Sequence, residues 1–128
     1  MKKYLLDTHT LIWFLEGDSQ ISPLAKSLVL DTGNQLFVSM ASIWEMAIKT
    51  SIGKLTLTQP LEQIIKRLPL EFMELLPIEV SHLLAIQNLP FHHKDPFDRI
   101  LIAQTLTENI GIISIETIFD QYAVKRIW

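Results

Sequence analysis

Four acidic residues, Asp7, Glu45, Asp98 and Glu116, stand where a carboxylate can do more than solvate a surface. Asp7 directly follows the apolar run Tyr4-Leu5-Leu6, and Glu116 comes two residues after Ser114, the end of another apolar run. Glu45 falls near the start of a helix expected after a strand, and Asp98 in the first turn of a helix opened by Asp95-Pro96. None of these spacings is a motif by itself. Their shared place at strand ends and helix starts is what would gather them along one edge of a parallel sheet, where α/β folds bind their ligands. Two carboxylates ~4 Å apart repel by ~4 kcal/mol at an effective dielectric of ~20, a large part of the stability of a small domain. A divalent cation removes that repulsion. Oxygen donors in a chain without cysteine suit Mg²⁺ or Mn²⁺ rather than zinc, and the chemistry such a centre supports is hydrolysis by a metal-activated water.

Each acid also has a structural reading. Asp7 can cap a helix. Glu45 can close a capping box with Ser42 or pair with Lys49 four residues on. Asp98 can answer the helix dipole or pair with Arg99, and Glu116 can be an ordinary solvated residue. Asp95 is expected to cap, and Asp120 to lie in a short exposed turn. The histidines make a poor metal site: His92 and His93 are adjacent and diverge, while His9 and His82 have no partner at the spacing of a zinc-binding helix. His9, beside Asp7, can still assist near the pocket. No glycine-rich phosphate loop and no Gly-x-Ser-x-Gly pattern occurs.

The elements that must position these acids follow from periodicity and punctuation. Strands are expected at Tyr4–Leu6, Gln35–Val38, Gly111–Ser114 and, at an edge, Val124–Trp128. Glu71–Leu76 is open between strand and helical remnant, because periodicity does not separate the two at this length. A helix through Leu11–Leu15, capped by Thr8 or Thr10, stops at Gly17; Ser22-Pro23 opens a second that Gly33 closes. A third runs from about Ala41 to Ser51 with Ile43, Trp44, Ala47 and Ile48 on its apolar side. Pro60 starts a helix that Pro69 ends, and Glu79–Asn88 is helical by the spacing of Val80, Leu83, Leu84 and Gln87. Ile100-Leu101-Ile102-Ala103 makes the helix after Asp95-Pro96 apolar nearly all round, so it must be deeply buried. A short helical turn follows Glu116. This alternation predicts an α/β domain, a central and mainly parallel sheet with helices on both faces.

Size and charge bound the rest. The 128 residues predict a single domain spanning 1–128, and 48% apolar residues predict a compact core rather than disorder. A net charge of −3 argues against coating nucleic acid by bulk charge, so such a role needs local basic groups or bound cations. Lys2 and Lys3 look like the start of a signal peptide, but Asp7 and His9 interrupt the apolar run that should follow. No stretch reaches the ~20 apolar residues of a membrane span. The expectation is a cytoplasmic protein with no membrane partner.

Three segments then carry a resemblance: Leu5-Leu6-Asp7-Thr8-His9-Thr10-Leu11-Ile12-Trp13, Ser42-Ile43-Trp44-Glu45-Met46-Ala47-Ile48-Lys49, and Leu89-Pro90-Phe91-His92-His93-Lys94-Asp95-Pro96-Phe97-Asp98-Arg99-Ile100-Leu101-Ile102-Ala103-Gln104. They resemble the PIN-domain ribonucleases, most closely VapC-type toxins of bacterial toxin–antitoxin pairs. The resemblance implies a PIN-like three-layer α/β/α fold, Mg²⁺- or Mn²⁺-dependent cleavage of an RNA substrate, inhibition by a VapB-like antitoxin, and a homodimer. It carries the family's acidic positions onto Asp7, Glu45 and Asp98. The fourth position, usually an aspartate in a Thr-x-Asp context, falls on Ser114-Ile115-Glu116, so a longer carboxylate stands there and Asp120 is the fallback. On this reading Asp7 and Asp98 are the principal metal ligands, with Glu45 and Glu116 holding a second ion or its waters. Lys49, Lys94 and Arg99 are candidates for the phosphate backbone, and Trp13, Phe14 and Leu15 for a partner groove. The rival readings are a PIN-like module that binds RNA or protein without cutting, a nuclease of structured DNA, and a receiver-type acidic pocket. The last needs a lysine where this chain has Ser114.

Overall fold

The computed structural model describes residues 2–128; Met1, the first residue of the expected 1–128 domain, lies outside the described residues. Among the described residues the chain alternates strands β1 (Lys3–Leu6), β2 (Gln35–Ser39), β3 (Met73–Leu76), β4 (Gly111–Ile113) and β5 (Arg126–Ile127) with six α-helices. These are α1 (Thr8–Glu16), α2 (Pro23–Leu30), α3 (Met40–Ser51), α4 (Leu61–Arg67), α5 (Val80–Gln87) and α6 (Pro96–Glu108). The strands form one sheet in the order β3-β2-β1-β4-β5, and every pairing is parallel. The stretch left open between strand and helix is resolved as β3, paired with β2 from Leu36–Met73 to Ser39–Leu76.

The two-residue alternation of the strands sorts side chains into two cores. Tyr4, Leu6, Leu36, Val38 and Ile113 point to one face, where they meet Leu11, Ile12 and Leu15 of α1, Ala25 and Val29 of α2, Met46 of α3 and Ile64 of α4. Leu5 and Ile112 point to the other, against Ile100, Leu101 and Ile102 of α6 and against Phe119, with Phe37 and Ile86 packed alongside. The result is three layers, as expected. The central helix is buried as its composition demands, from Arg99 through Thr105.

Two expectations are corrected by packing. Asp7, whose capping is the structural reading of that acid, caps α1 in place of Thr8 or Thr10: its side chain accepts from the Thr10 amide. Ser39, not Ser42, caps α3, so no capping box forms at Glu45, and the buried side of α3 is Ala41, Ser42, Glu45 and Met46. Trp44 and Ala47 face outward instead. A helix lying over the end of a sheet buries the residues that meet that end, and here those include the polar Ser42 and Glu45. The helix expected over Glu79–Asn88 is α5, on which Val80, Leu83 and Leu84 are exposed; what is buried is His82, whose Nδ1 accepts from the Glu79 amide at 2.9 Å and whose Nε2 lies 3.1 Å from Glu108.

Candidate active site

Because all five strands run the same way, their carboxyl ends lie on one edge, and α6, which runs back antiparallel to β4, brings its amino end there too. Asp7 leaves the end of β1 with its amide donating to the Ile113 carbonyl of β4 at 3.2 Å. Its Oδ1 accepts from Thr10 N–H at 2.9 Å, and its Oδ2 accepts from the Ser114 hydroxyl. Thr10 Oγ1 donates to the same Ile113 carbonyl at 2.9 Å, so both ends of the α1 turn are tied to β4. Asp7 is almost fully buried, and burial raises its carboxyl above the usual range, although the bonds from Ser114 and Thr10 pull the other way.

Glu45, also buried, is joined to the Asp7 segment directly: Thr8 Oγ1 donates to Glu45 Oε1 at 2.6 Å and lies 2.9 Å from Ser42 Oγ. The expected i, i+4 ion pair forms, with Lys49 on Glu45 Oε2. Asp98 is carried to the same edge by α6, whose amino end Asp95 caps by accepting from Asp98 N–H at 3.0 Å. Burial pushes the Asp98 carboxyl up to about 6; His93 Nε2, donating to Asp98 Oδ2 at 2.7 Å, opposes the shift, and the neighbouring charges of Asp95 and Glu45 add to it. Next to these acids the rings of Trp44 and Phe97 meet edge to face, 5.0 Å apart, bringing α3 and α6 together.

The remaining candidates fall out differently. Glu116 is exposed at the rim; its amide donates to Ser114 Oγ at 3.0 Å, and it is the buried Ser114 that reaches inward to Asp7. Asp120 points away into a two-pronged pair with Arg126, at 2.9 and 3.0 Å, and Arg126 holds its carboxyl below the usual range. Arg99 is buried, its guanidinium donating to the carbonyls of Pro90, His93, Ile86 and Leu89, so it is neither the partner of Asp98 nor free to meet a phosphate. His9 is exposed and lines a cleft of ≈220 Å³ with Thr8, Ile12, Glu45, Lys49, Lys54 and Leu55. His93, weighed only as a metal ligand beside His92, and Lys54 carry no local signal for these places. The first sits five residues before Asp98, across a proline turn whose path no periodicity describes.

The four acids share an edge but are not drawn into a tight cluster. Among the described residues no three His, Asp or Glu side chains are grouped so as to hold one ion as they stand; Asp7, Glu45 and Asp98 each have a local donor instead. The donor set nonetheless fits a hard divalent cation. Asp7 and Asp98 are carboxylates in surroundings that disfavour their charge, Asp7 beside the Ser114 hydroxyl and Asp98 beside the His93 ring, in a chain without thiols. Mg²⁺ takes one or two carboxylates and completes its octahedron with waters and phosphate oxygens, so it does not need a closed cage.

A parallel sheet in this order, with acids from β1, α3 and α6 at its carboxyl edge, defines a class. The chain belongs to the PIN domain family, whose model matches residues 4–125. Among solved structures it is similar to a chain of VapBC2 from Rickettsia felis bound to a DNA fragment from its promoter, with 13% identity, a TM-score of 0.71 and coverage of 98% of this chain and 97% of that one. A toxin–antitoxin complex from Klebsiella pneumoniae aligns at 19% identity and a TM-score of 0.66, covering 98% and 96%. VapBC-1 from nontypeable Haemophilus influenzae aligns at 21% and 0.64 with the same coverage. At these identities the likeness is one of fold. The comparison with curated proteins found no match.

Proposed function

We propose that this PIN domain is a metal-dependent endoribonuclease, a VapC-like toxin restrained by a VapB-like antitoxin. The observation that carries the proposal is the meeting of three chain segments at one sheet edge: Thr8 bonds Glu45, and Trp44 packs on Phe97 beside Asp98. Asp7 and Asp98 would hold Mg²⁺ or Mn²⁺, with Glu45 and Glu116 orienting its waters. When bound, the ion supplies a water of lowered pKa for in-line attack and neutralises charge on the leaving oxygen. Ser114 and Thr10 lock the Asp7 carboxylate in one rotamer, and His93 does the same for Asp98. Lys49 and Lys94 would meet the phosphate backbone of an RNA substrate.

The test is cleavage of RNA with Mn²⁺ by wild type, D7N and D98N. Each variant should lose at least about a hundredfold, the typical loss when one preorganised charge is removed from a site. Equal cleavage by all three discards the reading, and EDTA should abolish wild-type cleavage.

The partners rest on the likeness to chains from toxin–antitoxin complexes. Of the expected groove residues, Leu15 is core and Trp13 packs on Trp128 with rings 5.9 Å apart. Phe14 does line a cavity of ≈440 Å³ whose wall is part apolar (Val29, Leu36, Phe72) and part polar (Asp31, Asn34, Glu71), suited to an amphipathic segment of an antitoxin. The outward residues Val80, Leu83 and Leu84 of α5 suit a second copy of the chain. Among the described residues no helix is long and apolar enough to cross a membrane.

A further inference from the structure

Both carboxylate oxygens of Glu45 are engaged. Oε1 accepts from Thr8, and Oε2 is paired with Lys49. The two partners are unequal. Thr8 is buried in the wall of the site, whereas the Lys49 side chain is 33% exposed, on a flexible stem, at the edge of the cleft that Lys54 and His9 also line. The Lys49 ammonium sits on Glu45 Oε2, the carboxylate oxygen that Thr8 leaves free. It stands where a dication's charge would be needed.

We propose that Lys49 is a displaceable internal cation: it yields its Glu45 oxygen when a divalent ion binds, and the freed ammonium joins Lys54 in the cleft to take a phosphate of the nucleic-acid chain. The inference rests on the metal-dependent reading of the site. Its physical basis is that an ammonium and a dication compete for one oxygen and repel each other. Of the two groups on Glu45, Lys49 can leave because its stem reaches water without unpacking anything. Metal binding and phosphate binding are thereby coupled, and the phosphate-gripping charge stays sequestered until the ion arrives.

Two measurements test this without using cleavage. In Mn²⁺ titrations followed by electron paramagnetic resonance, K49M should bind the ion several-fold more tightly than wild type, because the partly exposed ion pair with Glu45 no longer has to be broken. K49R, which keeps the charge, should stay near wild type, and K54M, which lines the cleft without touching Glu45, should change far less than K49M. In ¹⁵N spectra of the lysine side chains, the Lys49 ammonium signal should move on Mg²⁺ saturation from that of a paired group to that of a solvated one. K49M should also raise KM for RNA several-fold more than it lowers kcat. Bound Mn²⁺ with Lys49 unmoved, or unchanged or weaker affinity in K49M, overturns the inference alone. Absence of any Mn²⁺ binding to wild type overturns the metal reading and this inference with it.

Discussion

At the scale of single residues the site is built from acids that the fold makes uncomfortable. Burial holds Asp98 up to about 6 against an ordinary 3.8, and Asp7 shifts in the same direction. A carboxyl raised in the folded state binds its proton more tightly there than in the unfolded chain. Stability without metal therefore falls as pH rises from about 4 to about 6, the window between the two values for Asp98. The D98N variant removes this loss while retaining an acceptor for His93. Metal-free D98N should be more stable than wild type at pH 7 by roughly 1–2 kcal/mol, less than the full shift implies because part of the side chain meets solvent. At pH 4 the two should be nearly equal. Urea melts at both values measure the difference, and a D98N that is weaker at pH 7 would contradict the burial argument.

At the scale of elements, the turn between α5 and α6 is held by an unusual arrangement. Arg99 has no carboxylate partner; its guanidinium gathers the carbonyls of Ile86, Leu89, Pro90 and His93 and lies 4.4 Å from the Phe91 ring centre. Tyr122 closes the turn from the other side, donating to the Pro90 carbonyl and accepting from the His92 and His93 amides. Through this turn His93 is aimed at Asp98. Replacing Arg99 leaves several buried carbonyls unsatisfied, so R99M should cost about 2–4 kcal/mol. Hydrogen exchange of the His92 and His93 amides should accelerate with it. R99K should rescue little, because an ammonium cannot fork to carbonyls spread along a turn. The local signals around Arg99 suggested an ion pair with its neighbour. Side chains one residue apart on a helix point about 100° apart, and the guanidinium found the open turn instead.

At the scale of the molecule, a sheet with all strands parallel has only one edge where acids from distant segments can meet, and two cores that make that edge rigid. Ser114, Lys49 and His93 each hold one of the acids there, Asp7, Glu45 and Asp98 in turn. An ion that binds only the folded state must add stability by mass action. Mg²⁺ at a hundred times its dissociation constant should stabilise wild type by about 2.7 kcal/mol at pH 7, reversed by EDTA, and D7N should lose the effect. A thermal midpoint indifferent to Mg²⁺ in wild type would count against a metal centre.

Periodicity and punctuation in the chain were enough for the alternation of strands and helices, the capping by Asp95, the deep burial of α6 and the segments carrying Asp7, Glu45 and Asp98, because each depends on contacts within a few residues. The Glu45–Lys49 pair was legible for the same reason. Only the tertiary structure decided that β3 is a strand, that α3 buries Ser42 and Glu45 rather than Trp44, that Arg99 serves a turn, and that Ser114 rather than Glu116 touches Asp7. Those outcomes depend on which surfaces meet across the sheet edge. A side chain's burial there is set by neighbours tens of residues away, about which no local pattern carries information.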